Sequence, residues 1–429
     1  MPILTDTELV LGLSRHLAAY QMGPERAALE QLEFAGWVFD VSFRLRGSTT
    51  SSPARVRAIG LDVGLGKRSL ADVVKTLEAL GWVDVHRDAK GEATAVVETI
   101  PAPNDLVAAS ERVLNVLMAG PMERAALAVL RATTIQPLVM TDVLDAAYAA
   151  EGVSSLPETA EDAVRHLMHT GLVREVLADD GRTVLYNPNV WTQGDAVIRS
   201  ALKAADAHGT KEVGALLEEL ATNPGMPESQ VTSTEKKWIN FAVSQGLVQR
   251  SVIQTSEGQE RGFLFTPHLG RDPFGGTAGD ASGQVRQLVG SMIYAATFAA
   301  YRLRDPAVFL RALINRGIAG NASSIGTDYP MLEKAGIVRV VDGHSSNRYQ
   351  LELLQTDVAE DALKVLTARE ASGSGGHNAA SLEGQRSYVH VDRERAKIAL
   401  TTDRDQAEEA RLIAALREVP ARRSMGQVQ

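Results

Sequence analysis

Residues 44–69 bring Arg44, Arg46, Arg55, Arg57, Lys67 and Arg68 together against a single acid, Asp62. That is a net +5 within a chain of formal charge −9, so the remainder carries −14. Clustered guanidinium and ammonium groups neutralise phosphates, and arginine also hydrogen-bonds guanine edges. Ser69 and Lys75 continue the cluster, Arg87 and Lys90 follow it, and Lys236 and Lys237 form a second, smaller basic pair. The chemistry open to this set is the binding of a polyanion, duplex DNA first. The competing reading is a solvated surface on a protein-contact module.

Other groupings carry less. GLDVGLGKRS imitates a phosphate-binding loop at Gly66-Lys67, but Leu61 stands where the first glycine is needed and Arg68 where Ser or Thr is needed. His166 and His169 share one helical face, yet no third ligand stands at a sensible spacing for zinc. Paired carboxylates such as Glu218-Glu219 read as a solvated helix face. The absence of cysteine removes disulfides, thiolate nucleophiles and Cys-containing zinc sites. No nucleophile elbow or HExxH pattern occurs. The expectation is a non-enzyme with no cofactor and no metal.

The elements that must position the basic residues repeat along the chain. Gly–apolar–Val recurs at Gly81-Trp82-Val83, Gly171-Leu172-Val173, Gly246-Leu247-Val248 and Gly336-Ile337-Val338. Each follows an amphipathic run (ADVVKTLEAL, EDAVRHLMHT, KWINFAVSQ, YPMLEKA) and precedes two β-type segments around a polar turn. In the first copy Leu70, Val73, Val74, Leu77 and Leu80 fall on one helical face, with Ser69 as the expected cap and Gly81 as the stop. Gly36-Trp37-Val38 also fits the tripeptide but has no hairpin after it, and is assigned to the first unit's leading helix. Further helical stretches precede each copy, giving three helices and a hairpin per unit.

That plan resembles the winged helix. ARVRAIGLDVGLGKRSLADVVKTLEALGWVDVHRDAKGEATAVV is similar to the helix–turn–helix and wing of bacterial winged-helix transcription regulators. The pattern places helix two at 54–62, a turn at 63–67, helix three at 69–80 and the wing at 89–92. The expected fold is α+β, mainly α with small β-hairpins, in about four tandem winged-helix domains. The expected division is a helical leader at 1–27 and units at 28–104, 105–192, 193–269 and 284–370. A Gly-rich connector at 270–283 and a flexible linker at 371–385 separate them from a C-terminal helix and disordered tail at 386–429.

The resemblance implies that helix three of the first unit enters the major groove, with the wing on flanking phosphates. The expected DNA contacts are Arg44, Arg46, Arg55, Arg57, Lys67, Arg68, Ser69, Lys75, Arg87 and Lys90, with Lys236 and Lys237 as a second contact. Helix three of the second copy carries Glu158, Glu161 and Asp162, which repel phosphate. Units two and four are therefore expected to contact a protein partner or a second copy. Two alternatives stay open: a scaffold subunit resembling the accessory subunits of chromosome-condensing machines, or an RNA-hairpin binder resembling the winged helices of selenocysteine-specific elongation factors.

Length and composition fit this organisation. A chain of 429 residues holds about two to four domains at ~100–200 residues each. Hydrophobic residues at 45% and charged residues at 23% match a soluble globular protein. MPILTDTELVLGLSRHL lacks a basic start and a long apolar run, so no secretory signal is expected. No membrane contact is expected, and the expected location is cytoplasmic, at the nucleoid if the source is prokaryotic.

Overall fold

In the computed structural model the first unit begins with α3 (Glu30–Leu45), after α1 (Asp6–Leu17) and the single turn α2 (Pro24–Ala27). The structure describes residues 4–21, 23–150, 152, 157–178, 181–193, 195–205, 208–267, 280–299, 302–369 and 384–425. Strand β1 (Thr50–Ser51), α4 (Pro53–Val63), α5 (Lys67–Ala79), β2 (Val83–Arg87) and β3 (Ala93–Glu98) complete the unit, with strand order β1-β3-β2. Ser52 caps α4 by accepting the Arg55 N–H, and Pro53 occupies the first turn, where its missing N–H costs nothing. Val73 and Leu77 of α5 are buried, as the helical spacing requires. The cap differs from expectation: α5 starts two residues early with Gly66 at its N-cap, and Ser69 lies inside the first turn.

The same order recurs three more times. After α6 (Pro103–Val107) and α7 (Ser110–Val116), unit two has α8 (Pro121–Ile135), β4 (Leu138–Val139), α9 (Met140–Tyr148), α10 (Pro157–His169), β5 (Arg174–Leu177) and β6 (Thr183–Tyr186). A 3-10 segment (Pro188–Gln193) and α11 (Asp195–Ala205) lead to α12 (His208–Thr222), which opens unit three. There β7 (Met226–Pro227), a 3-10 turn (Glu228–Gln230), α13 (Lys236–Ser244), β8 (Gln249–Thr255) and β9 (Glu260–Phe265) follow. After α14 (Gln284–Thr297), unit four has α15 (Pro306–Arg316), β10 (Ile318–Ala322), α16 (Ile325–Asp328), α17 (Pro330–Lys334), β11 (Val338–Asp342) and β12 (Tyr349–Leu353), then α18 (Thr356–Ala368). Each hairpin is joined by a short strand from between the first two helices, giving orders β4-β6-β5 and β10-β12-β11. The sequence does not announce these short strands. Two to five residues show no alternation long enough to detect.

The four repeated glycines all have positive φ, at 68°, 67°, 74° and 73°. That explains why this position repeats: the left-handed stop is cheap only without a Cβ.

The C-terminal segment corrects an expectation. It is not a lone helix: β13 (Gln385–Val389), α19 (Val391–Thr401) and α20 (Gln406–Met425) form an arm built into the body. β13 extends the unit-three sheet to the order β13-β8-β9-β7, with Tyr388 opposite Ile253 and Val389 opposite Val252. α19 lies on α1, α13 and β8, while α20 lies on α11. Leu412, Ile413, Ala415 and Leu416 are buried there, beside the unit-two and unit-three residues Tyr186, Leu216 and Leu247. Residues 270–279 of the connector, 371–383 of the linker and 426–429 of the tail lie outside the described residues.

The units share their cores. One apolar cluster joins α1 to units one and two, and another joins unit four to Ile253, Phe263 and Phe265 of unit three. α1 packs on α3 across Gly36, where a Cβ would meet Val10 and Ser14. Units one and four meet through polar groups. Gln355 donates to the Phe43 carbonyl at 2.9 Å, and Gln284 donates to the same carbonyl at 3.3 Å and to that of Ala335 at 2.7 Å. The repeat thus closes on itself, with unit four against unit one, instead of running as separate beads.

Candidate nucleic-acid interface

The exposed basic surface lies on α5, α4 and the β2–β3 turn. Lys67, Arg68 and Lys75 are exposed, Ala71 and Asp72 lie with them on the outer side of α5, and Ser69 is half-buried. Because Gly66 offers no capping side chain and no acid stands in the first turn, the leading amides of α5 meet no side-chain acceptor from its N-cap. A helix start of this kind favours anions. Arg57 is exposed on α4, beside Leu61 at 68% exposure. Lys90 is exposed at the hairpin tip, where Asp88 accepts its N–H at 2.8 Å and sets the turn. Arg87 lies on the same hairpin but grips Glu78 with two bonds of 2.9 and 2.8 Å. That hydrogen bonding lowers the Glu78 carboxyl below its ordinary range.

Three expected contacts are elsewhere. Arg44 is buried: it pairs with Asp40 at 2.9 Å and Asp62 at 2.6 Å, and its guanidinium lies 3.2 Å from His390. Arg15 reaches the other Asp40 oxygen at 3.2 Å and donates to the Ser282 carbonyl at 2.7 Å. Burial alone would raise the Asp40 carboxyl, but Arg15 and Arg44 outweigh it and hold it far below the carboxylate range. Arg46 donates to Gln355 and Asp357 of the fourth-unit side, each at 2.7 Å. Arg55 is half-buried, its guanidinium destabilised by burial and then by Arg339, with Glu333 and Glu352 opposing. Half of the basic run is therefore turned inward: Arg46 ties unit one to the fourth-unit side, Arg44 is held by Asp40 and Asp62, and Arg55 is half-buried near Arg339. Charge in the sequence does not say whether a cation meets solvent or a carboxylate 300 residues away.

The other third helices are placed differently. In unit two, Glu158 and Glu161 are exposed and Asp162 pairs with Arg165 at 2.5 Å. His166 is half-buried and His169 exposed, and no group of three or more metal-capable side chains occurs among the described residues. In unit three, Lys236 lies 3.9 Å from Glu228, and Lys237 lies 3.4 Å from Glu235 and 5.3 Å from the Trp238 ring centre. Both lysines are exposed, but Ile239, Phe241, Ala242, Val243 and Ser244 behind them are buried and α19 packs on the helix. In unit four, α17 has five residues, with Met331 and Leu332 buried and β13 against it. Glu219, one of the paired carboxylates, accepts hydrogen bonds from Thr232 and Ser233 and so fixes a loop.

No family model matches the chain, and no curated protein matches it. Among the described residues, no helix is long and apolar enough to cross a membrane.

Sequence reasoning missed the cluster of Arg15, Asp40, Arg44, Asp62 and His390. Its members come from α1, α3, α4 and the start of α19, so no local spacing announces it.

Proposed function

We propose that the chain is a non-enzymatic duplex-DNA-binding protein of winged-helix type, a transcriptional regulator or DNA-organising factor. It reads the major groove with α5 and steadies the flanking phosphates with the β2–β3 hairpin. One observation carries this reading: α5 combines an exposed outer side, Lys67, Arg68 and Lys75, and a first turn without acids. Arg57 and Lys90 flank it on either side. Ala71 and Ala79 on the exposed side are small enough for the helix to lie close to base edges. Arg44, Arg46 and Arg55 are withdrawn from the contact set, and Arg87 takes part only by leaving Glu78.

Five exposed cations neutralising five phosphates give a slope of log K against log salt of about −4 to −5. The double variant Lys67→Glu/Arg68→Glu should weaken binding to all duplexes and flatten that slope by about one to two. The matched control Glu158→Gln/Glu161→Gln on α10 should leave DNA affinity unchanged. Unchanged affinity in the first variant would remove α5 from the interface. Stronger binding to structured RNA than to duplex would replace DNA with RNA hairpins as the target.

A second reading, a protein-contact role for unit two, is favoured by a groove of about 460 Å³ between α9 and α10. Met140, Leu144, Val164 and Met168 line it, with Glu161 and Glu175 at its edge.

A further inference from the structure

A cavity of about 370 Å³ lies where four remote parts of the chain meet. Tyr20 comes from the segment after α1, Met168 and Arg174 from unit two, Trp238 and Phe241 from α13, and Thr402–Asp405 from the turn between α19 and α20. The volume falls within the range of small-molecule sites, about 300–1,000 Å³, and such sites favour junctions between domains.

The wall divides into an aromatic side and one available cation. Trp238 and Phe241 stand edge to face with ring centres 5.9 Å apart, and Met168 adds a polarisable thioether. Trp238 is half-buried and lines the cavity together with Phe241. Of the three cations on the wall, Lys237 pairs with Glu235 at 3.4 Å, and Arg404 grips Glu409 at 3.0 and 2.8 Å. Arg174 is half-buried, and among the described residues no carboxylate lies within ion-pair distance of it. A half-buried guanidinium without a carboxylate is a natural partner for a planar anion, which it can hold through two parallel N–H bonds.

The charge around the cavity limits the ligand further. Glu175, Asp403 and Asp405 are exposed around the same cavity and would repel a polyphosphate. We propose that this cavity binds a small planar aromatic monoanion, a ring system bearing one carboxylate. The ring lies against Trp238, Phe241 and Met168, and the carboxylate meets Arg174. Occupancy ties the turn after α19 to units two and three, and so fastens the C-terminal arm over α13. This assignment does not depend on the DNA reading.

The test uses the full chain without DNA, with 2-naphthoate, its uncharged analogue 2-naphthamide, and AMP as probes in titration calorimetry and thermal melts. Naphthoate should bind at least tenfold more tightly than the amide and raise the melting midpoint, while AMP binds more weakly than naphthoate. Arg174→Gln should leave the midpoint of the unliganded protein within a few degrees, because among the described residues the side chain has no carboxylate partner to lose. The same variant should bring naphthoate affinity down to that of the amide. Trp238→Leu should weaken both naphthalene probes. No naphthoate binding at millimolar concentration, equal affinity in Arg174→Gln and the parent chain, or a preference for AMP would each overturn the proposal.

Discussion

Helices α5 and α13 occupy the same place in the same local order, yet one faces solvent and the other lies under α19. On α5 only Val73 and Leu77 are buried, enough to hold the helix to its own unit. On α13 the last four residues, from Phe241 to Ser244, are buried. The repeat therefore sets the local shape of each unit, while the C-terminal arm decides which third helices stay available. β13 and α19 cover the third helices of units four and three, leaving the basic one of unit one and the acidic one of unit two.

Removing the arm is the largest perturbation of that contrast. Truncation after Glu370 takes away β13, α19 and α20, and exposes the apolar side of α11 and the edge of β8. Loss of the cooperative thermal transition, or a fall in midpoint of more than about 10 °C, is expected, since ~1 kcal/mol moves a midpoint by about 2–4 °C in chains of 150–250 residues. A transition within a few degrees of the parent would mean that the arm rests on the body without supporting it.

The repeated glycines sharpen the comparison at single-residue scale. All four have positive φ, so Ala costs ~1–2 kcal/mol at any of them for the left-handed backbone alone. A Cβ at Gly81 meets nothing within 4 Å. At Gly336 it would press into the Arg44 carbonyl oxygen, and at Gly246 into the Pro188 carbonyl oxygen. In urea melts Gly81→Ala should lose ~1–2 kcal/mol, and Gly246→Ala and Gly336→Ala ~3 kcal/mol or more. Equal losses at the three positions would show that the close approach between units carries no weight.

A pH slope, smallest when counted per pH unit at one histidine, tests the same interior by another route. Burial and then Arg395 lower His16 to about 3, and burial and then Arg15 hold His390 well below its ordinary value. Both are neutral in the folded chain, so on acidification the unfolded chain takes up the protons first. Stability is full above about pH 6.5 and falls as pH drops toward 4, by ~1.4 kcal/mol per pH unit for each histidine. Urea melts from pH 7 to 4 should show that slope, and His16→Gln should remove one histidine's share. A flat profile in the parent chain would mean that both rings accept protons in place.

Much of the first unit was legible in the sequence because its signals are local. The stripe from Leu70 to Leu80, the stop at Gly81 and the hairpin turn all act within a few residues, and they appear where the spacing puts them. The basic run was legible as charge but not as exposure. Arg46 finds Asp357, and Arg44 lies against His390, more than 300 positions away. The arm was hidden for a related reason. Glu394, Arg395 and Glu409 are buried through Arg250, Asn189 and Tyr186, and buried charges erase the apolar stripe that would betray an inward face. The cavity was illegible because its walls come from four places whose meeting depends on all the rest.

The pairing of α1 with α19 also sets a timetable for synthesis. α1 is buried along most of its length, from Thr7 to Leu17, yet the ribosome delivers α19 only after some 370 further residues. At ~5–20 residues per second that interval is roughly 20–75 s. Throughout it the growing polypeptide carries an apolar helix one of whose partners has not been made. Units one and two can gather around α1 early, but its flank toward α19 stays open until that helix emerges. A nascent chain of this design is exposed to chaperone capture and to wrong pairing at that flank until α19 is made.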